Sequence, residues 1–356
     1  MARRTPPRFV TRTMIPTIAA IVLISAAAAR AQDTVEPRVS AEAVVSATMF
    51  SSYTHVSGVL DVTGSVRVGE GMQLIARPWA WRRPDGTSVF QMYQLQMRYV
   101  SRTRTPVRVD GGVITSPLGL NPLQMRADLN PLISPVPYYV IPLPRFERSF
   151  DALQPLTSGY PLGLVVSTSG TRWDVRGGVL DTTPARPGIE LKHDGRGPLP
   201  QVVFGGGVTP RPGLRIGGGL AHGRYRDGSE SVAEGVATVA NLEAEFTVNH
   251  TRLSGEWVVD RFQGSTGTAT AQSFYVQGVQ TITPRLYGAA RFSHVSTPPV
   301  FVVGHATAWT TAETTAGVRL TPDWTLRVGY LGQCAYFGEW QHQAGVSIVW
   351  DARWFR

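Results

Sequence analysis

Between residues 42 and 354 the chain is written on a two-residue period. In Val59–Val68, Leu60, Val62, Val66 and Val68 fall on one side and Asp61, Thr63, Ser65 and Arg67 on the other. In Val236–Val248, Ala240, Leu242, Ala244, Phe246 and Val248 oppose Asn241, Glu243, Glu245 and Thr247. Trp324, Leu326, Val328 and Tyr330 likewise oppose Thr325, Arg327 and Gly329. Successive side chains of a strand point to opposite faces, so this pattern describes a sheet with one apolar and one polar face. No comparable stretch keeps the 3.6-residue period of a helix. The predicted fold class is all-β.

Sixteen such runs are predicted, near 42–50, 59–68, 72–82, 88–101, 105–115, 161–168, 171–180, 201–209, 213–224, 235–249, 251–262, 271–283, 285–295, 310–321, 324–334 and 341–354. Alternation is weakest at 201–209 and 271–283. Their connections alternate in kind. One set is tight: Gly69-Glu70-Gly71, Ser101–Thr105, Ser169–Thr171, Pro210–Gly213, Asn249-His250, Thr283-Pro284 and Thr321–Asp323. The other set, 51–58, 83–87, 116–160, 181–200, 225–234, 263–270, 296–309 and 335–340, is mostly longer. Transmembrane barrels segregate short turns and long loops to opposite sides of the bilayer. The expectation is therefore a transmembrane antiparallel β-barrel of about 16 strands, with fourteen and eighteen as the alternatives. Closure is a physical requirement, because lipid offers no hydrogen bonds to an unpaired strand edge. Trp173, Tyr287, Trp324, Tyr330, Trp350 and Trp354, near strand ends, suit an interfacial aromatic girdle.

The polar face carries Arg67, Arg77, Arg98, Arg108, Arg176, Arg215, Arg252, Arg291, Arg319, Arg327 and Arg353. Its acids are Asp61, Asp110, Asp174, Glu243, Glu245, Glu256, Asp260 and Asp351. Such a face, turned inward, implies a water-filled lumen and not a packed core. Arginine rings favour anions, so a mild anion preference is expected. The alternative is that these arginines pair with facing acids and only stiffen the wall.

Residues 116–160 stand apart. This segment, the third external loop, holds eight prolines (117, 122, 131, 135, 137, 142, 144 and 155) and is rich in Leu, Ile, Val, Tyr and Phe. Proline keeps it from adding strands, and its apolar content argues against disorder. It is expected to fold into the lumen, with Arg126, Asp128, Arg145, Glu147, Arg148 and Asp151 as constriction charges. The competing expectation is an external cap or an oligomer contact.

The N-terminus reads as an address. A basic stretch, Met1–Arg12, precedes the apolar run Met14–Ala29, and Ala29-Arg30-Ala31 has the small-x-small pattern of a cleavage site. Residues 1–31 are predicted to be a removed signal peptide and 32–356 a single barrel domain. Five arginines and no acid lie in residues 1–31, so the formal +9 falls to +4 beyond them. That weakens any nucleic-acid reading. A single cysteine, Cys334, excludes a disulfide framework.

At the C-terminus, Val346, Ile348, Trp350, Ala352 and Trp354 alternate and lead into Trp354-Phe355, with Arg356 following. This resembles the C-terminal assembly signal of Gram-negative outer-membrane proteins, which usually ends on the aromatic itself. Signal peptide, alternating strands, third loop and aromatic terminus together resemble a Gram-negative porin over nearly the whole chain. The passage Asp128-Leu129-Asn130-Pro131-Leu132-Ile133 and on to Tyr138-Tyr139 is most similar to uncharacterised porin-like proteins near the phosphate-selective porins. The resemblance implies a passive diffusion channel for small hydrophilic or anionic solutes. It further implies insertion among outer-membrane lipids by the barrel-assembly machinery, and a homotrimer. The lysine-rich site of the phosphate-selective members has no counterpart, because Lys192 is the only lysine. Anion selection would fall to arginine.

Other chemistry finds little footing. Gly205-Gly206-Gly207 and Gly217-Gly218-Gly219 precede no helix, so they lack the N–H array of a phosphate loop. Glycines that permit bends or close backbone packing are the expected reading. The seven histidines (55, 193, 222, 250, 294, 305 and 342) show no ligand spacing, and no metal or cofactor is expected. His222 with Asp227, or His294 with Ser296, are the nearest approach to a catalytic pair, and nothing singles them out. No enzyme is expected. The rival to a channel is a plugged structural or export-accessory barrel.

Overall fold

The computed structural model describes residues 39–52, 55–83, 85–103, 105–120, 126–135, 142–143, 154–155, 160–181, 200–226, 234–264, 267–296, 308–335 and 338–354. The expected signal peptide, Tyr138-Tyr139 and the loop charges Arg145, Glu147, Arg148 and Asp151 lie outside the described residues.

The first five strands are β1 (Val39–Phe50), β2 (Ser57–Gly69), β3 (Met72–Arg82), β4 (Ser88–Val100) and β5 (Val107–Val113). Two short ones, β6 (Pro142–Leu143) and β7 (Gln154–Pro155), pair only with each other inside the long connection. Then follow β8 (Leu162–Ser169), β9 (Trp173–Asp181), β10 (Pro200–Arg211), β11 (Leu214–Arg226), β12 (Glu234–Val248) and β13 (Thr251–Gly264). The chain ends with β14 (Gly267–Thr281), β15 (Leu286–Ser296), β16 (Ala308–Arg319), β17 (Trp324–Ala335) and β18 (Trp340–Trp354). All except β6 and β7 form one closed antiparallel barrel of sixteen strands. Sequence neighbours pair throughout, and β1 meets β18 from Ala41↔Trp354 to Phe50↔Gly345. That seam removes the last free edge.

The barrel is inside out relative to a water-soluble protein. Phe204 and Val202 on the outer face are 62% and 63% exposed, whereas inward Glu313 and Arg291 are 2% and 3% exposed. Apolar atoms face outward and ionic groups inward, as a wall between lipid and a polar interior requires.

Tight turns close one end of the barrel. Gly213, at φ 83°, turns β10 into β11; a Cβ there would lie 2.2 Å from Thr247 O. Asn249, at φ 50°, turns β12 into β13, using the tolerance of asparagine for left-handed backbone. Pro78 interrupts β3, and the register with β4 shifts between Arg77 and Pro78, a bulge that accommodates a residue lacking an N–H. At the other end, β13 runs to Gly264 and β14 starts at Gly267. The longer loop expected at 263–270 therefore shrinks to two residues, because β13 and β14 stay paired as far as Gly264↔Gly267.

Two expectations need correction. Tyr287 is not an outer girdle residue; it is 5% exposed and shares the inward parity of Arg291 on β15. The inner wall is also not polar throughout. Val165, Leu180, Val203, Ala221, Val239, Val258, Ala271, Tyr275 and Val295 form a buried belt on the inward face toward the long-loop end, joined by Ile114 and Leu118 of the connection after β5. That part of the interior is a packed core. Trp173, Trp324, Tyr330 and Trp354 are exposed on the outside, and Trp324, Trp350 and Trp354 lie in ring contact across β17 and β18.

Candidate functional site

The segment after β5 leaves the wall and binds back onto its inner face. Ile114 N–H donates to Pro161 O at 2.9 Å and closes the base of the connection. Leu118 lies over Gly219 of β11, where a Cβ would meet Leu118 Cδ2 at 2.8 Å. The Leu120 N–H then donates to Glu256 Oε2 of β13 at 3.3 Å.

Residues 126–135 form the second anchor, and they contain the sequence DLNPLI. Asn130 organises it: its Oδ1 accepts from Leu132 N–H at 3.1 Å, and its Nδ2 donates to Ser134 O at 2.8 Å. Side-chain bonding of this kind stabilises a turn locally, and Pro131 and Pro135 keep it from becoming strand. The knob is held from the wall by Glu313 of β16, whose Oε1 accepts the N–H groups of Ile133 at 2.8 Å and Ser134 at 3.0 Å. Ser134 Oγ donates to the other oxygen of Glu313. Arg291 neutralises that carboxylate at 2.9 Å and donates to Ser134 O and Pro135 O. A carboxylate this deeply buried is stable only when paired and hydrogen-bonded, and here both conditions are met by the loop and β15. Ile133 packs over Gly329 and Gly345, which are register partners on β17 and β18.

Arg126 and Asp128, expected as constriction charges, are engaged. Arg126 grips Asp128 through Nε at 3.0 Å and Nη2 at 2.8 Å, and reaches Glu42 of β1 at 2.6 Å. Glu42 also pairs with Arg353 of β18 at 2.8 Å, and Arg353 with Asp351 at 2.8 Å. The barrel seam is thus cross-linked and tied to the loop by one ionic chain. Oxygens of Glu42, Asp128 and Asp351 lie within 4.8 Å of one another, but Arg126 and Arg353 already interleave them.

The return of the loop is pinned by aromatics. Trp79 stacks on Tyr93 at 4.7 Å between centroids, and Tyr93 on Tyr160 at 4.5 Å. Arg77 lies 5.2 Å over the Tyr160 ring, donates to its Oη at 2.6 Å and pairs with Asp61. Burial pushes the Tyr160 phenol up from its ordinary range, so it stays neutral here.

Among the described residues, two cavities lie beside the loop. The larger, about 630 Å³, lies against β5, β8, β9, β11 and β12 and is lined by Arg108, Asp110, Asp174, Arg176, Arg215, Glu243 and Glu245 together with 114–120 backbone. Its ions are paired except Glu245, which has no ion pair among the described residues. Arg215 binds Asp174 in a fork at 3.0 and 3.1 Å and Glu243 at 2.6 Å. Arg176 reaches Glu243 at 3.4 Å; Arg98 and Arg108 share Asp110. The two glycine triplets lie beneath these ions: Gly205, Gly206 and Gly207 pair with Gly219, Gly218 and Gly217. A Cβ on Gly207 would meet Arg215 Nη2 at 2.7 Å, and one on Gly217 would meet Glu243 Oε1 at 2.8 Å. Bare backbone lets the ionic quartet lie flat along the wall.

The smaller cavity, about 360 Å³, opens at the tight-turn end between β13 and β17. Arg252, Arg319 and Arg327 line it, with the loop residues Asp128, Leu129 and Pro131. Arg327 Nε donates to Tyr287 Oη at 3.0 Å, and Tyr287 Oη to Pro131 O at 3.2 Å. Arg319 donates to Pro284 O at 2.9 Å. None of the three arginines has a carboxylate partner among the described residues.

Among the remaining expected wall residues, Arg67 is exposed near the turn end of β2, and Glu245 is half-buried beside Glu243. Arg291 and Arg327 face inward but are covered by residues 131–135. Glu313 and Glu42, which the sequence did not single out, are the main loop anchors; the even spacing of Glu313 from Arg319 was the available signal. His222 and His294 bond to Thr238 and Thr310 on the outer face, and Asp227 lies outside the described residues.

No protein-family model matches the chain, and no curated protein does. The fold nevertheless matches solved structures. The anion-selective porin from Comamonas acidovorans superposes with a TM-score of 0.59 at 10% identity, covering 88% of this chain and 98% of that one. Salmonella typhi OmpF, solved in complex with daunomycin, gives 0.57 at 10% identity, covering 88% and 97%. The trimer form of OmpT, an outer membrane protein of Vibrio cholerae, gives 0.55 at 9% identity, covering 89% and 98%. At such identities the likeness is one of fold: this chain has the barrel architecture of the porins.

Proposed function

We propose that this chain is an outer-membrane channel through which small hydrophilic solutes diffuse passively. The carrying observation is the pair of ion-lined cavities left on either side of a loop bound to the inner wall. A closed barrel with an apolar exterior suits lipid, and an interior of charged groups beside open space suits water and solutes. In this reading Arg67, Arg98, Arg108, Arg176, Arg215, Arg252, Arg319, Asp110, Asp174, Glu243 and Glu245 border the solute path. The segment 116–160 narrows it, while Arg291 and Arg327 hold that segment in place. The tight-turn end faces the periplasm and the long loops face outward.

A mild anion preference is part of the proposal, because acids pair with Arg98, Arg108, Arg176 and Arg215 but, among the described residues, not with Arg67, Arg252, Arg319 or Arg327. So are export through cleavage after Ala31, delivery by the barrel-assembly machinery and assembly as a homotrimer. Kinship with the phosphate-selective porins rests on the DLNPLI passage, which here is an anchoring knob. The chemistry is transport and not catalysis.

Planar-bilayer recording tests this reading. Stable open levels with a reversal potential favouring anions are expected, and deletion of residues 120–155 should raise the conductance. A barrel that gives no open level until the loop is deleted would instead be a plugged scaffold.

A further inference from the structure

The smaller cavity has an uncompensated charge and a mixed lining, and both bear on what it would hold. Arg252 on β13, Arg319 on β16 and Arg327 on β17 converge on it from three strands. Asp128 is the one carboxylate in the lining, and Arg126 already occupies both of its oxygens. Cross-strand register explains the surplus. Arg252 faces Thr247 and Val279, Arg319 faces Thr325, and Arg327 faces Gly317 and Ser347, so no acid stands directly opposite any of them, and Glu245, diagonal to Arg252, makes no ion pair with it among the described residues. Arg252 makes neither an ion pair nor a hydrogen bond among the described residues.

The rest of the lining is mixed: Thr247, Asn249, His250, Thr251, Thr281 and Thr325 are polar, whereas Leu129, Pro131, Val279 and the Tyr287 ring, over which the Arg319 guanidinium lies at 5.5 Å, offer apolar surface. A water molecule's share of liquid volume is about 30 Å³, so the cavity of about 360 Å³ far exceeds the needs of an inorganic ion. Guanidinium forks match carboxylates in geometry as well as charge. We propose that this chamber is a binding station for small organic dicarboxylates. One carboxylate would meet Arg252 and the other Arg319 and Arg327, with the carbon chain against Val279, Pro131 and Tyr287. The loop knob forms one side of the station, since Leu129 and Pro131 belong to its lining.

This deepens the channel reading and rests on it for its biological sense, but binding can be measured without an open pore. Calorimetry on the detergent-folded barrel with succinate is expected to give saturable binding. Arg252→Gln should weaken it at least tenfold. Arg211→Gln, which removes a charge from the same end beside Phe246 on the outer face, should leave it unchanged. Absence of saturable succinate binding, or equal affinity in the Arg252 variant, overturns the station. Sulfate binding as tightly as succinate also overturns it, because charge alone would then explain the site. Parallel bilayer recordings separate the two readings. Succinate binding without conductance would remove the channel and keep the station; conductance without succinate binding would do the reverse.

Discussion

The two sides of the loop differ in how they treat arginine. Against β9–β12, Arg215 and Arg176 share Asp174 and Glu243, and these four charges cancel. Against β13–β17, Arg252, Arg319 and Arg327 stand over threonine, valine, glycine and serine in the cross-strand register. The composition of the lumen is thus a poor guide to its field. What decides the field is whether an acid at the directly opposed or diagonal position on the next strand also closes an ion pair. Gly217 faces Glu243 and Arg215 faces Glu245, so Arg215 meets Glu243 on the diagonal; Glu245 holds the matching diagonal to Arg252, but no ion pair joins those two among the described residues.

Both sides depend on one anchor, so the largest effect should follow from Glu313→Ala. The substitution releases the N–H groups of Ile133 and Ser134 and takes from buried Arg291 the carboxylate of Glu313. Breaking a buried ion pair by removing one partner costs about 3–5 kcal/mol. A lower unfolding temperature in detergent and faster tryptic cleavage at Arg126 are expected. An unchanged melting point and cleavage rate would show that the knob is held by other contacts. Next comes Gly217→Ala, which places a Cβ 2.8 Å from both Glu243 Oε1 and Gly206 O. Overpacking of this kind costs about 1–3 kcal/mol. It should also push the quartet off the wall and lower single-channel conductance, whereas Gly288→Ala, with open space around its Cβ, should do neither. Arg215→Gln ranks third. It removes one positive charge and leaves Asp174 and Glu243 to Arg176 alone, so the reversal potential should move toward cation selectivity.

Much of this was legible in the chain. The barrel, its strand number and its seam follow from alternation and loop lengths, because each outward residue meets lipid and each inward one does not. Alternation blurs where both faces are apolar. In β10, Val202 and Phe204 face outward while Val203 faces the inner belt, so the run Val202-Val203-Phe204 carries no period. The belt was hidden for the same reason. Tyr287 was misplaced because its residue type outweighed its parity, although it stands four residues before Arg291 on one strand. The pairing of arginines was not legible, since it depends on register between strands. Asp174 and Arg215 are separated by 41 residues and meet only across the paired glycines. Glu313 was missed because its role is to hold a loop 180 residues earlier in sequence.

The smallest effect should be that of Arg252→Gln on ion selectivity, and it carries the sharpest contrast with Arg215→Gln. Arg252 releases no acid when it is lost, so the variant should keep the sign of the wild-type selectivity and reduce only its size. A unit charge about 4 Å from a passing ion in water contributes about 1 kcal/mol, and salt screens it further. The permeability ratio of chloride to potassium should therefore fall by less than about fivefold, with the difference fading as ionic strength rises. A change of sign, or a shift as large as that of Arg215→Gln, would mean that Arg252 does have an acidic partner in the membrane. The charge asymmetry between the two sides of the loop would then disappear.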